Sequence, residues 1–261
     1  MLHTNKDLIR IENLVTGYGK HAITSNLNAR LVAGELVSLL GRNGVGKSTL
    51  LRTLCGFQPP LGGKILLYGQ DICTISQAGL SRKIGVVLTE RPDTGNMTVR
   101  EMVEMGRSPY TGFWGRLDRH DSETVQWAMR LAGIEDMQGR RVRTLSDGER
   151  QKTMIAKALA QETPIILLDE PTAFLDFQSK AETMRLLSKL AHEQRKVIFL
   201  STHDVEMALQ LSDRLWLMDK DGVTTGTPEA LSYDGTISRF LQCKGMEYEP
   251  STRTMHISDA V

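Results

Sequence analysis

Apolar and polar residues alternate along Leu8-Ile9-Arg10-Ile11-Glu12-Asn13-Leu14, the period-two pattern of a strand with one buried face. Ala22 to Leu31 and Gly63-Lys64-Ile65-Leu66-Leu67-Tyr68-Gly69 predict two more strands, and together these form an antiparallel sheet. Elsewhere the apolar residues come in short unbroken runs. Leu36-Val37-Ser38-Leu39-Leu40, Lys83-Ile84-Gly85-Val86-Val87-Leu88, Ile165-Ile166-Leu167-Leu168 and Val197-Ile198-Phe199-Leu200 read as strands buried on both faces. The second of these ends at Thr89-Glu90-Arg91-Pro92, where the proline stops it. Leu215-Trp216-Leu217-Met218, the Asp221-Gly222 turn and Val223-Thr224-Thr225 predict a closing hairpin, and a weak alternation from Gly245 to Ser258 around Pro250 predicts a terminal one.

Helical periodicity fills the gaps. Thr49 to Leu54 leaves a glycine-rich loop as a helix. Thr98-x-x-Glu101 is a capping box opening a short helix through Val99, Met102 and Val103, with Gly106 as its stop. Ser122 to Ala132 places Val125, Ala128, Met129 and Ala132 on one face, with Gly133 ending it. Ser146 and Glu149 form another capping box, before a helix whose Met154, Ile155, Ala158 and Leu159 face a core. Ser179-x-x-Glu182 predicts a cap for a helix to about Glu193. The stretch from about Asn96 to Thr144 therefore reads as a helical insertion in an α/β core. Within it, Ser108 to Asp118 reads as a loop carrying Tyr110, Phe113 and Trp114; its cluster from Pro109 to Trp114 is a candidate docking surface, with plain core packing as the other reading.

Length and composition narrow the class. A chain of 261 residues, 40% hydrophobic and 24% charged, suits one large domain or one domain with a sizeable insertion. The formal net charge of +1 does not favour nucleic-acid binding. Cys55, Cys73 and Cys243 form no C-x-x-C pair, so reduced thiols are expected, not a disulfide frame or a zinc site. No apolar signal segment opens the chain and no apolar run approaches the length of a bilayer crossing, so a membrane role is expected to work through a partner.

The chemistry concentrates at Gly41-Arg42-Asn43-Gly44-Val45-Gly46-Lys47-Ser48-Thr49, which fits the phosphate-binding pattern G-x-x-x-x-G-K-[ST] between a strand and a helix. Its glycines allow φ > 0 and bring successive N–H groups around a polyphosphate. Lys47 supplies a mobile charge for the β- and γ-phosphates, the Ser48 hydroxyl a ligand for Mg²⁺, and the helix N-terminus a favourable dipole. These residues predict a nucleoside triphosphate site. Asp169 and Glu170 end the Ile165–Leu168 run, and His203 ends the next, where α/β sheets bind ligands. The remaining histidines, His3, His21, His120, His192 and His256, are scattered and expected to be solvated.

With the phosphate loop, Leu145-Ser146-Asp147-Gly148-Glu149, the Ile165–Glu170 strand with its acids, Ala173-Phe174-Leu175-Asp176 and His203 in this order, nearly the whole chain resembles the ATP-binding cassette ATPases. Kinases and small GTPases lack the Ser-x-Gly-Glu segment. The resemblance implies an α/β fold: a P-loop core with a mixed, largely parallel sheet (residues 1–95 and 145–261, the first part including a flanking antiparallel β-subdomain), a helical subdomain at 96–144 and a small extension at 240–261. It implies that Lys47, Ser48 and Thr49 hold phosphates and Mg²⁺, that Asp169 holds Mg²⁺ through water, that Glu170 polarises the attacking water, and that His203 contacts the γ-phosphate. Tyr18, otherwise a surface residue of a turn, falls where the family stacks an aromatic on adenine. Ser146 and Gly148 would reach the γ-phosphate held by a second copy, with Asp176 along the seam, so ATP would sit at a two-fold interface.

Two positions depart from the family. Thr89, followed by Glu90, stands where Gln is usual; Thr is too short to reach both Mg²⁺ and a partner, so Glu90 or a water held by Thr89 is expected to take over part of the coupling. Asp147 replaces a Gly, and its carboxylate is expected to face solvent. Met97-Thr98-Val99-Arg100-Glu101, Gly106-Arg107-Ser108-Pro109-Tyr110 and Gly115-Arg116 resemble the ATPases of importers of ferric siderophores, haem and vitamin B12. That likeness implies membrane permease partners, an indirect link to a substrate-binding protein, no nucleic acid, and a place at the cytoplasmic face of the inner membrane. A soluble clamp on DNA or ribosomes would need paired cassettes or long coiled coils, and a purely regulatory module would have little use for Glu170 and His203.

Overall fold

The computed structural model describes residues 7–89, 95–112, 115–241, 246–249 and 254–257. Among them, β3 (Leu36–Gly41), β6 (Ile84–Val87), β7 (Ile165–Leu168), β8 (Val197–Thr202), β9 (Arg214–Asp219) and β10 (Gly222–Gly226) form one six-stranded sheet in the order β10-β9-β3-β8-β7-β6. All neighbours are parallel except the β9–β10 hairpin. A second sheet, in the order β2-β1-β4-β5, is antiparallel: β1 (Asp7–Tyr18), β2 (His21–Val32), β4 (Gly62–Leu67) and β5 (Gln70–Asp71). The terminal hairpin expected from weak alternation is present as β11 (Met246–Glu249) and β12 (Thr254–Ile257).

The unbroken apolar runs are explained by what covers each face. Side chains alternate across a strand, so Ile166 and Leu168 of β7 point into one core while Ile165 and Leu167 point into another. The first core is roofed by α3 (Val99–Glu104), α4 (Arg119–Ala132), α5 (Asp147–Ala160) and α6 (Phe177–His192); the second lies against α1 (Lys47–Leu54) and the antiparallel sheet. Short helices α2 (Gln77–Ser81), α7 (Val205–Leu211), α8 (Pro228–Tyr233) and α9 (Thr236–Leu241) complete the surface. Among the described residues, no helix is long and apolar enough to cross a membrane. Cys55 is buried and Cys73 exposed, both free thiols; burial pushes the Cys55 thiol far up.

Several local expectations are corrected. Helix α4 starts earlier than the pattern suggested, because Asp118 and Asp121 form the capping box. Helix α6 is capped by Asp176, whose Oδ1 accepts from Ser179 N at 2.7 Å; Ser179 sits inside the first turn. Gly106 does not stop α3. It lies in a tighter turn over Met105–Arg107, where an added Cβ would meet the Lys157 carbonyl at 2.2 Å, so its work is close approach to α5.

The docking surface expected at Pro109–Trp114 is tied down in its described part. Arg107, 2% exposed, pairs with Asp121 at 2.7 Å and Glu162 at 2.6 Å and donates to the Ala160 carbonyl. Its guanidinium lies 4.2 Å from the centre of the Tyr110 ring, whose hydroxyl donates to Gln161 O. Tyr110 therefore packs the insertion onto the core; Phe113 and Trp114 lie outside the described residues. Of the histidines expected in solvent, His21, His120 and His192 are exposed; His192 also bonds Asp213 at 2.8 Å, and the same carboxylate oxygen accepts from Leu36 N.

Candidate nucleotide site

Strands β3, β6, β7 and β8 run parallel and in register, so their carboxyl ends open on one edge. That edge presents Gly41, Thr89, Asp169-Glu170 and His203 together. Loop glycines Gly44 (φ 76°) and Gly46 (φ 113°) hold the left-handed conformation a phosphate cradle requires. Gly46 also allows the loop to lie against β2, since a Cβ there would meet Ile23 Cγ2 at 2.2 Å. As the N-cap of α1, Gly46 offers no side-chain acceptor, which leaves the first N–H groups of that helix available to an anion. Gly41, Arg42, Asn43 and Val45 complete the loop, and Thr49 is buried at its helical end.

Lys47 is 5% exposed, and its Nζ donates to Gly41 O at 3.0 Å and Arg42 O at 3.3 Å. It lies 3.5 Å from His203 Nε2 and 3.9 Å from Glu170 Oε1. Burial lowers its pKa, against the opposing pull of Glu170 and Asp169. His203 Nε2 and Glu170 Oε1 are 2.5 Å apart. Glu170 takes φ 48°, a conformation that costs a non-glycine residue roughly 1–3 kcal/mol. It is held there by its own N–H donating to Ser201 Oγ at 2.9 Å.

Ser48 Oγ donates to Asp169 Oδ1 at 3.3 Å, and Ser201 Oγ donates to the same oxygen at 2.7 Å. Ser201 thus braces both acids. It stood in the sequence at the end of an apolar run, with no motif to mark it. Thr89 Oγ1 donates to Asp169 O at 2.8 Å, which spends its proton on the backbone of the acidic pair; Glu90 lies outside the described residues. Among the described residues no three His, Cys, Asp or Glu side chains gather as a metal cage. One carboxylate and a hydroxyl, both hard oxygen donors, instead suit Mg²⁺, which keeps several waters.

Tyr18 is 53% exposed at the end of β1, one turn from His21. Gln58 anchors this hairpin to α1, donating to Gly17 O at 3.3 Å and Thr53 Oγ1 at 3.1 Å. Neither Gln58 nor Ile23 was marked by sequence, since each acts only through packing across distant segments. Ser146, Gly148 and Asp176 are not brought onto the phosphate loop of their own chain by any of these contacts. Ser146 caps α5 with the expected capping box, and Glu149 is further gripped by Arg140 at 2.7 Å. Gly148 abuts α6: a Cβ would lie 2.8 Å from Ser179 Oγ. Asp147 is exposed, lining a narrow cleft with Thr89, Arg150 and Glu170.

The sequence profile described as ABC transporter matches residues 24–173, more than half the chain. The chain belongs to the ABC transporter family. The petrobactin import ATP-binding protein FpuC of Bacillus anthracis is 36% identical over 234 residues, covering 90% of this chain and 83% of that protein. The ferric enterobactin transport ATP-binding protein FepC of Escherichia coli K12 is 36% identical over 239 residues, covering 90% and 88%. Among solved structures, the dimeric bacterial ABC transporter cassette MJ0796 superposes with a TM-score of 0.70 at 27% identity, covering 84% of this chain and 98% of that one. This ABC ATPase binds nucleotide and hydrolyses ATP.

Proposed function

We propose that this ABC ATPase powers uptake of an iron chelate, a ferric siderophore, as the peripheral subunit of an importer in the plasma membrane. The observation that carries the catalytic part is the meeting of Lys47, Asp169, Glu170 and His203 at one sheet edge. The names of the iron-chelate relatives carry the cargo.

In this reading Tyr18 stacks on adenine, and the loop N–H groups from Gly41 to Thr49 with the Lys47 ammonium bind the phosphates. Ser48 and Asp169 would hold Mg²⁺, with Thr89 ordering Asp169 from behind; an ion held there would supply positive charge against the charge that builds on the phosphates. Glu170 accepts a hydrogen bond from the attacking water and orients it, while His203 donates to the γ-phosphate. Lys47 and His203 both face Glu170 in this chain, so an arriving γ-phosphate competes for those two groups and frees the carboxylate for water. The α5 tip at Ser146 and Gly148 serves the nucleotide of a second copy, its helix dipole favouring the anion, with Asp176 at the seam. ATP thus joins two copies, closing them against permease subunits, and hydrolysis reopens them. Residues 1–95 and 145–261 act as the nucleotide core, 96–144 as the helical arm and 240–261 as a small extension. A substrate-binding protein would deliver cargo on the far side.

The test is uptake of radioactive iron supplied as siderophore in cells deleted for this gene. Restoration by the wild-type chain and not by Glu170→Gln is expected. Restored cobalamin uptake without iron uptake would overturn the cargo, and an ATPase that never co-purifies with a permease would overturn the transport role.

A further inference from the structure

His203 is a single residue between two anchored neighbours. On one side Thr202 closes β8, opposite Leu40 of β3, and is 1% exposed. On the other, Asp204 caps α7: its Oδ1 accepts from Met207 N at 3.2 Å, and its own N–H donates to Thr202 Oγ1 at 3.0 Å. A functional side chain is aimed only as well as the backbone on both sides of it is held. Strand pairing fixes the Thr202 side against the sheet. The two bonds of Asp204 run within residues 202–207, so they set the shape of the turn and not its place relative to the rest of the site.

Lys180 ties that turn to another element. Its Nζ donates to the second carboxylate oxygen, Asp204 Oδ2, at 3.4 Å. The stem of Lys180 is itself fixed, because it lies in the first turn of α6, where its N–H donates to Asp176 O at 2.9 Å. Lys180, Asp204, His203 and Glu170 line one cavity of about 280 Å³ beside the reacting groups. The paired side chains are 31% and 22% exposed, and ion pairs that water can reach add little to stability. Placement is where such a pair counts, since a shift of about 1 Å at a reacting group can cost about a hundredfold in rate.

We propose that Lys180 is a positioning residue for ATP hydrolysis: through Asp204 it holds the turn after β8 so that His203 Nε2 stays between Glu170 and the γ-phosphate. The inference rests on the role proposed above for His203 at that phosphate. Lys180 touches none of the groups assigned to the nucleotide, so its contribution falls on turnover and not on affinity. Asp204 carries the effect because one of its oxygens shapes the turn while the other is gripped from α6.

The test is steady-state ATP hydrolysis by the full chain carrying Lys180→Met, Lys180→Arg, Asp204→Asn, the first and third together, or His203→Ala. Asp204→Asn keeps an oxygen to cap α7 and removes the charge that Lys180 pairs with. Lys180→Met should lower kcat about tenfold, with the KM for MgATP and the melting temperature close to those of the wild type. Asp204→Asn should lower kcat to a similar extent, and the double variant should be no slower than either alone, the mark of one shared interaction. Lys180→Arg should restore most of the rate, since a guanidinium pairs with the same carboxylate. The ring resonances of His203, assigned through His203→Ala, should move in Lys180→Met and return in Lys180→Arg. An unchanged kcat in Lys180→Met overturns the proposal. So does a loss that multiplies with that of Asp204→Asn, or a His203 ring that does not respond, because Lys180 would then act by another route. A His203→Ala chain with near-normal turnover would remove the role of His203 on which the inference stands; an inactive one beside a fully active Lys180→Met chain would sink this inference alone.

Discussion

Glu170 Oε1 and His203 Nε2 meet at 2.5 Å across the ends of two adjacent parallel strands. The contact is possible because β7 and β8 pair in register, Leu168 beside Leu200, so the residues that follow each strand emerge side by side. Glu170 is aimed by its left-handed backbone and by Ser201, and Lys47 lies within 3.9 Å of the same oxygen. The carboxylate of this ATPase is thus placed between two cationic or hydrogen-bonding groups that a triphosphate would claim.

Replacing Glu170 with Gln keeps the shape and an acceptor for His203 but removes the charge that orients water. Turnover should fall about a hundredfold or more, near 3 kcal/mol of barrier, while ATP binding persists. Steady-state hydrolysis and equilibrium binding of a fluorescent ATP analogue check both halves. A variant retaining most of its turnover would remove Glu170 from the reaction.

Ser201→Ala tests a residue that touches neither phosphate nor water in this account. Its hydroxyl donates to Asp169 Oδ1 and accepts from Glu170 N. Losing such a brace around a metal-holding acid commonly costs about 10–100-fold in metal affinity or activity. The expected result is a higher Mg²⁺ concentration for half-maximal hydrolysis together with a lower maximum, and partial recovery in Ser201→Thr. An unchanged Mg²⁺ dependence would show that Asp169 is positioned without it.

The contrast between Ser201 and Lys47 shows what could be read from the sequence. Lys47 belongs to a loop whose glycine spacing is itself the geometric requirement, so the motif and the site are one object. The parallel core was legible for a similar reason: runs such as Ile165–Leu168 are apolar on both faces because helices cover one side and the second sheet the other. Ser201, Ile23 and Gln58 act across long separations in sequence, and a serine after an apolar run carries no local signal of the acid it will meet. Gly106 was misread because a glycine after a helical pattern usually ends it, and only the path of α5 reveals the close approach. The cap of α6 went to Ser179 because Ser-x-x-Glu fits a capping box, whereas Asp176 occupies the turn that precedes it.

Lys47 carries a pH dependence whose sign follows from burial. In the free chain desolvation lowers its pKa, and a bound triphosphate would raise it. Between those two values binding requires uptake of a proton, so affinity for ATP should weaken as pH rises through the free chain's lowered value. The corresponding stability effect has the opposite slope: above that value and below the ordinary lysine range the unfolded chain binds more protons, so the free protein gains stability as pH rises. Binding measured from neutral to alkaline pH should show the loss, and Lys47→Arg, which stays charged, should flatten it. Equal slopes in both chains would assign the titration to another group. Lys47→Ala should lose nucleotide binding altogether.

Gly106→Ala probes the join between the helical insertion and the core. The new Cβ would lie 2.2 Å from the Lys157 carbonyl oxygen and 3.0 Å from Ala160 Cβ, so either the Met105–Arg107 turn or α5 must move. Neither is soft: the turn is held by Arg107, which bonds Asp121, Glu162 and the Ala160 carbonyl, and α5 packs on both α3 and α4. Overpacking of this kind costs about 1–3 kcal/mol. Denaturant unfolding should show a lower midpoint with an unchanged slope. Because the clash is separate from the phosphate loop, the fraction that remains folded should bind ATP as the wild type does. An unchanged midpoint would mean that the insertion can shift on α5 without cost, and that the Arg107 ion pairs do not hold the two in one arrangement.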